Sequence, residues 1–272
     1  MTAIAAGATS AATQPTSGRF LGLRPLLRKD GTEWMRGRRA WIVAVVTTLF
    51  MVLTAANGAI TTYVRNNFPE PGTENIPFPS LDPMLNLLSA PGSQIFLIAA
   101  IFAVASLIVH ERETGTLAWV SSKPVSRGSI WLSKWVSSSI ILAVAAAMIP
   151  FFITIAVVVV LYGSVAFAPL AVITVGMILA VMFYAAVGLA AGSVLPGVPA
   201  ILAVSLGILF LVPTLAGLLP FDVSPYLPTS ILDWTVGFAV GQDVGFITPI
   251  AWAIATVALI AFSIRQMERI EL

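Results

Sequence analysis

The sequence predicts an all-α polytopic membrane protein with six transmembrane helices, an N-terminal amphipathic interfacial helix and both termini in the cytoplasm. Three observations lead there. Only 10% of the 272 residues are charged and 58% are hydrophobic, whereas a soluble domain is about 25% charged. Six apolar runs approach the ~20 residues that cross a bilayer core. Those runs are continuously apolar rather than alternating, which points to helices and away from a β-barrel.

At the N-terminus, residues 1–19 are mostly Ala, Thr, Gly and Ser. They lack the basic start and continuous apolar core of a signal peptide and read as a disordered tail. Residues 20–40 form the amphipathic segment. Pro25 suits the first turn of a helix. Leu26, Leu27, Trp34 and Met35 then alternate with Arg28, Lys29, Glu33, Arg36, Arg38 and Arg39. A basic amphipathic helix beside a span is expected in the headgroup layer, Trp and Leu down, Arg and Lys up.

The spans are expected at about 41–63, 93–110, 135–162, 169–195, 199–219 and 246–265. Between the first two, the outer loop 64–92 carries six prolines, which forbid a long regular helix. Gly188-Leu-Ala-Ala-Gly192 on the fourth span permits close helix approach within the bundle. The stretch Gly192–Pro199 is short, uncharged and rich in breakers, so the fourth and fifth spans form an antiparallel hairpin. In the outer loop 220–245, Ile231, Leu232, Trp234 and Phe238 fit a short helix at the interface. Residues 266–272 are a cytoplasmic tail.

Orientation comes from Lys and Arg. Seven precede the first span, four lie between the second and third, and two come after the sixth; the other side holds only Arg65. The acids divide evenly, six to a side. Thirteen against one puts both termini in the cytoplasm.

Several functions are excluded. There is no Cys, so neither thiolate catalysis nor a Cys-ligated metal is available. Ion-coupled carriers usually place charged or His side chains within their spans; residues 135–221 contain no Asp, Glu, Lys, Arg or His. No Gly-x-x-x-x-Gly-Lys-Ser/Thr phosphate loop is present, so the chain is not an ATPase. His110-Glu-Arg-Glu-Thr114 starts like a zinc motif, but its fifth residue is Thr and no second His exists. Neither a metal site nor catalytic residues are expected, and no nucleic acid partner. His110 reads as a cation at a helix C-terminus.

The loop 111–134 holds the densest polar patch. Thr116 to Ser122 is a short segment with Leu117 and Trp119, broken by Lys123-Pro124, and Ser126 is a good N-cap for a helix leading into the third span. On physical grounds alone the loop is either a docking surface for a partner or a Trp anchor at the headgroups. Glu111-Arg-Glu-Thr-Gly-Thr-Leu117 together with Lys123-Pro-Val-Ser-Arg127 resembles the first cytoplasmic loop of type-2 ABC exporter permeases. The plan of residues 20–270 resembles that family too.

The resemblance implies a homodimer or related heterodimer of permeases bound to two cytoplasmic ATPase subunits, with ATP and Mg held by those partners and no cofactor in this chain. It places Glu113, Gly115, Thr116, Leu117 and Trp119 on or beside a coupling helix. Pro124 and Arg127 would set its junction to the third span. The function so implied is outward, ATP-driven transport. The other readings are an ion-coupled secondary transporter and a non-transporting anchor or sensor for a cytoplasmic partner.

Overall fold

The computed structural model describes residues 22–68, 81–92, 94–116 and 125–269. Among these the regular structure is entirely helical. Six helical stretches are long and apolar enough to cross a membrane. Helix α1 spans Leu23–Arg36 and α2, the first span, Arg38–Asn67. A short α3 (Pro83–Gly92) precedes α4, the second span, Ile95–Glu113. The third span runs unbroken over Arg127–Tyr162. It comprises α5 (Arg127–Leu142), a π-helical turn (Ala143–Met148) and α6 (Ile149–Tyr162). Helices α7 (Phe167–Val194) and α8 (Val198–Ala216) are the fourth and fifth spans. Two 3-10 turns and α9 (Ile231–Ala239) follow; α10 (Ile247–Arg269) contains the sixth span.

Helix α7 is the hub. Gly188 and Gly192 face α4, where an added Cβ would sit 3.1 Å from Val104 and 2.6 Å from Ile108. The Gly-x-x-x-Gly motif therefore seats the second span against the fourth inside one chain, as its spacing permits. Indole N–H groups from two other spans also reach α7: Trp135 donates to the Met182 carbonyl at 3.1 Å and Trp252 to that of Leu179 at 3.0 Å. Between the fifth and sixth spans, Ile231 and Leu232 of α9 are buried. This helix packs so closely on α7 that a Cβ at Gly176 would overlap the Thr235 side chain.

The third span explains its own irregularity. Pro150 lacks an N–H and its ring crowds the carbonyl four residues earlier. The π turn just before it widens the ladder, a common way for a long helix to absorb such a break. At the far end of this span Tyr162 enters another helix. Its hydroxyl donates to the Ala55 carbonyl and accepts from the Ala59 N–H, both at 2.9 Å, taking the place of one α2 ladder bond. The polar side chains of α2 are otherwise satisfied locally: Thr47, Thr48, Thr54 and Thr62 each donate to a carbonyl four residues back.

Three boundaries differ from the sequence reading. The first span continues to Asn67, and the 64–92 loop contains α3. The third span begins at Arg127 rather than near 135, because Lys134 lies on the helix. At 36 residues this span is about 54 Å long, far beyond the ~30 Å hydrocarbon core. Its Arg127 end has room to project past the lipid tails.

Candidate functional site: a charged junction at the 111–134 loop

The N-terminal helix α1 presents Leu26, Asp30 and Trp34 at intervals of four, so all three share one face. All three are buried, and the face packs on α5. An acid in the middle of an apolar stripe needs a partner. Asp30 has two: the Ser133 hydroxyl donates to its Oδ2 at 2.6 Å, and Lys134 Nζ stands 4.0 Å from its Oδ1. Lys134 in turn donates to Glu111 Oε1 at 2.5 Å, and both side chains are only 5% exposed. Lys29 lies 4.0 Å from Asp30 and 3.8 Å from Glu33 at the solvent rim. The row Glu33–Lys29–Asp30–Lys134–Glu111 thus ties α1, the end of the second span and the start of the third. Thr116 lines a cavity of about 10 Å³ beside it, space for one water.

Asp30, Glu33 and Glu111 each offer an oxygen within 4.8 Å of the others. Lys134 already supplies positive charge between two of them, so the donor set is fitted by an ammonium. Such a pair is sensitive to losing one member. Breaking a buried ion pair costs about 3–5 kcal/mol, because the remaining charge stays desolvated.

Two arginines on the stems of the loop reach other spans. Arg112 donates to the carbonyls of Gly192 and Leu195, the latter at 2.6 Å, where α7 ends. Arg127 donates to the Met267 carbonyl at 3.0 Å, near the end of α10. A guanidinium on the last carbonyls of a helix satisfies orphan acceptors and opposes the negative end of the dipole. The stems of one loop therefore hold α1, the fourth span and the sixth.

The predicted loop residues fall into three groups. Gly115 adopts φ +68°, and its N–H reaches the Arg112 carbonyl at 3.1 Å. It is the left-handed residue that ends the second span, a conformation that favours glycine. Glu113 is exposed and Thr116 half-buried; Thr114 and Thr116 hydroxyls are 2.9 Å apart. Leu117, Trp119 and Pro124 lie outside the described residues. On the far stem Ser126 caps α5, its Oγ accepting from the Ser129 N–H at 3.1 Å. Val125 meets the start of α1: a Cβ on Gly22 would lie 2.5 Å from its Cγ1.

In the N-terminal helix, Leu26 and Trp34 are buried on the face that packs on α5. Leu27 is half-buried, Met35 is exposed, and Arg38 is exposed at the first turn of α2. An apolar stripe suits lipid and protein equally well; Asp30 within that stripe was the signal that protein covers it. The sequence reading also passed over Asp30, Ser133 and Lys134 as site residues. Lys134 precedes 87 residues without a charge, which marked it as the last cation before a long apolar stretch.

A fourth span packed against the second, third, fifth and sixth, with a charged junction bonded to its neighbours, describes a polytopic helical membrane protein. The chain matches the family described as "ABC-2 family transporter protein" over residues 24–263, and it belongs to that family. It is therefore a multi-pass membrane permease component of an ABC transporter. Comparison with the curated proteins finds no match.

Proposed function

We propose that the chain is the membrane-spanning subunit of an ATP-driven exporter, and that a separate ATPase docks on the loop between Thr116 and Val125. In this reading the termini and the loop are cytoplasmic, two permease copies assemble with two ATPases, and the substrate moves outward. ATP and Mg are held by the partner. The family carries an association with ABC ATPases in general. The positive-inside count supports the orientation.

One observation carries the mechanism: both stems of the loop are bonded to other helices. A push on residues 117–124 acts on α4 and α5 directly. Through Arg112 it acts on the end of the fourth span, through Arg127 on the sixth, and through Lys134 and Asp30 on α1. Buried, directional bonds transmit displacement because they have few alternative partners.

The test uses Leu117→Asp and Trp119→Asp. Each should abolish co-purification of the ATPase and its substrate-stimulated turnover, with normal insertion of the permease. Undiminished co-purification and stimulation in both variants would refute the docking assignment.

A further inference from the structure

An apolar groove opens on the surface between the first and third spans. Its first section, about 250 Å³, is bounded by Met35, Trp41, Ala44, Val144 and Ile149. A second section, about 430 Å³, shares Trp41, Ala44 and Ile149 and continues past Leu49 to Ile153. The groove exists for two reasons. Its floor on the α2 side is alanine, and its opposite wall includes Val144 and Ala145 of the π turn, where the third span is irregular. From Ala40 to Val52 it runs along α2 for about 18 Å. Half of a ~30 Å hydrocarbon core is about 15 Å. The groove therefore has the length of one leaflet.

The lining is apolar, and cations flank one end of it in sequence. Met35 and Ala40–Trp41 line the groove, and between them in sequence stand Arg36, Arg38 and Arg39. Arg36 and Arg38 are exposed. None of the three has an ion pair or side-chain hydrogen bond among the described residues. The nearest acid along the chain, Glu33, faces Lys29 at 3.8 Å. Trp41, 66% exposed, is an amphipathic ring of the kind that settles where headgroups meet tails. We infer that this groove is a binding site for an anionic phospholipid, with one acyl chain along α2 and the π turn and the phosphate among Arg36, Arg38 and Arg39. A zwitterionic lipid satisfies the apolar half and offers a phosphate too, but it sets its own headgroup cation beside three arginines, whereas an anionic lipid brings net negative charge to them.

The test is competitive lipid retention by the purified full-length chain, delipidated in detergent. It is then offered equal phosphatidylglycerol and phosphatidylcholine of matched chains, with bound lipid counted by native mass spectrometry. The wild-type chain should retain phosphatidylglycerol preferentially. Arg38→Gln should lower phosphatidylglycerol about fivefold and leave phosphatidylcholine unchanged. Trp41→Ala should lower both lipids about fivefold. Ala44→Phe, which fills the floor, should abolish retention of both, whereas Ile42→Phe, on an exposed position outside the groove, should change neither. Millimolar inorganic phosphate should not displace the lipid.

Equal retention of the two lipids by the wild-type chain would overturn the proposal. So would unchanged retention in Trp41→Ala, a surface substitution that does not threaten folding, or displacement by bare phosphate. If Ala44→Phe shifts the oligomeric state and leaves lipid retention intact, the groove belongs to an interface between copies and the lipid assignment falls.

Discussion

The middle and the end of the second span are held by different physics. Toward its middle, Val104 and Ile108 lie on Gly188 and Gly192, and the contact is one of close backbones and shape. At its end, Glu111 bonds to Lys134, and Arg112 to the carbonyls of Gly192 and Leu195. Lipid tails are as apolar as the side chains they touch, so burial alone gives little drive to helix association in a membrane. Small residues and dispersion hold the middle. Outside the hydrocarbon, charge-assisted bonds hold the end. The first arrangement tolerates sliding and resists added volume. The second resists separation and depends on every partner being present.

The strongest way to break the contrast is Lys134→Ala. It leaves Asp30 and Glu111 buried without their shared cation and should destabilise the chain by about 3–5 kcal/mol. Thermal unfolding in detergent measures it. Replacing Asp30, Glu111 and Lys134 together by apolar residues of similar size should be close to neutral for stability. If the loop is the ATPase docking site, that triple variant should still lose coupling. A triple variant as unstable as Lys134→Ala would show that the triad contributes more than the balance of its charges.

This junction is also where the sequence said least. The six spans were legible because a run of about 20 apolar residues has few other uses. Ser126 as an N-cap was legible because a short hydroxyl side chain before a helix has a local function. The junction joins residues 30, 111 and 134, and nothing local relates them. Lys134 read as a loop cation because charge is costly in a span; a paired charge on a helix that outruns the membrane escapes that rule. Likewise, the apolar stripe of α1 fits a bilayer surface or α5 equally well. The π turn was hidden for a different reason. Ala143–Met148 has the composition of any apolar helix, and only Pro150 beyond it hints at a break.

Close small-residue packing has its own test. Gly176→Val sets a branched side chain against Thr235 and forces α9 away from α7. Overpacking of this kind costs about 1–3 kcal/mol, and the outer helix should become the first region to exchange amide hydrogens. Gly207→Val is the control, because the nearest atom to a Cβ there is a Leu211 methyl at 3.8 Å. Equal losses in both variants would mean that branched residues in the helices, not the close approach, set the cost.

Arg112→Lys sharpens the comparison at the other end. The guanidinium reaches two carbonyls, at Gly192 and Leu195, in one fork. Lysine keeps the charge and loses the fork. The dipole contribution should survive while one hydrogen bond goes, a loss of about 1–2 kcal/mol. Arg112→Gln, which removes the charge as well, should cost more. Equal effects of the two substitutions would assign the whole contribution to the fork and none to the charge.

Tyr162→Phe should have the smallest effect and the most specific one. The hydroxyl serves as both donor and acceptor within the α2 ladder. Its removal leaves the Ala59 N–H and the Ala55 carbonyl facing each other across an apolar ring. Interhelical hydrogen bonds in membranes average about 0.6 kcal/mol, because the separated helices find other partners. Here the partner is already present: α2 needs only to close its own ladder. The loss of stability should therefore fall at or below that average, as thermal unfolding in detergent would measure. A loss well above the average would show that α2 does not close its own ladder once the hydroxyl is gone.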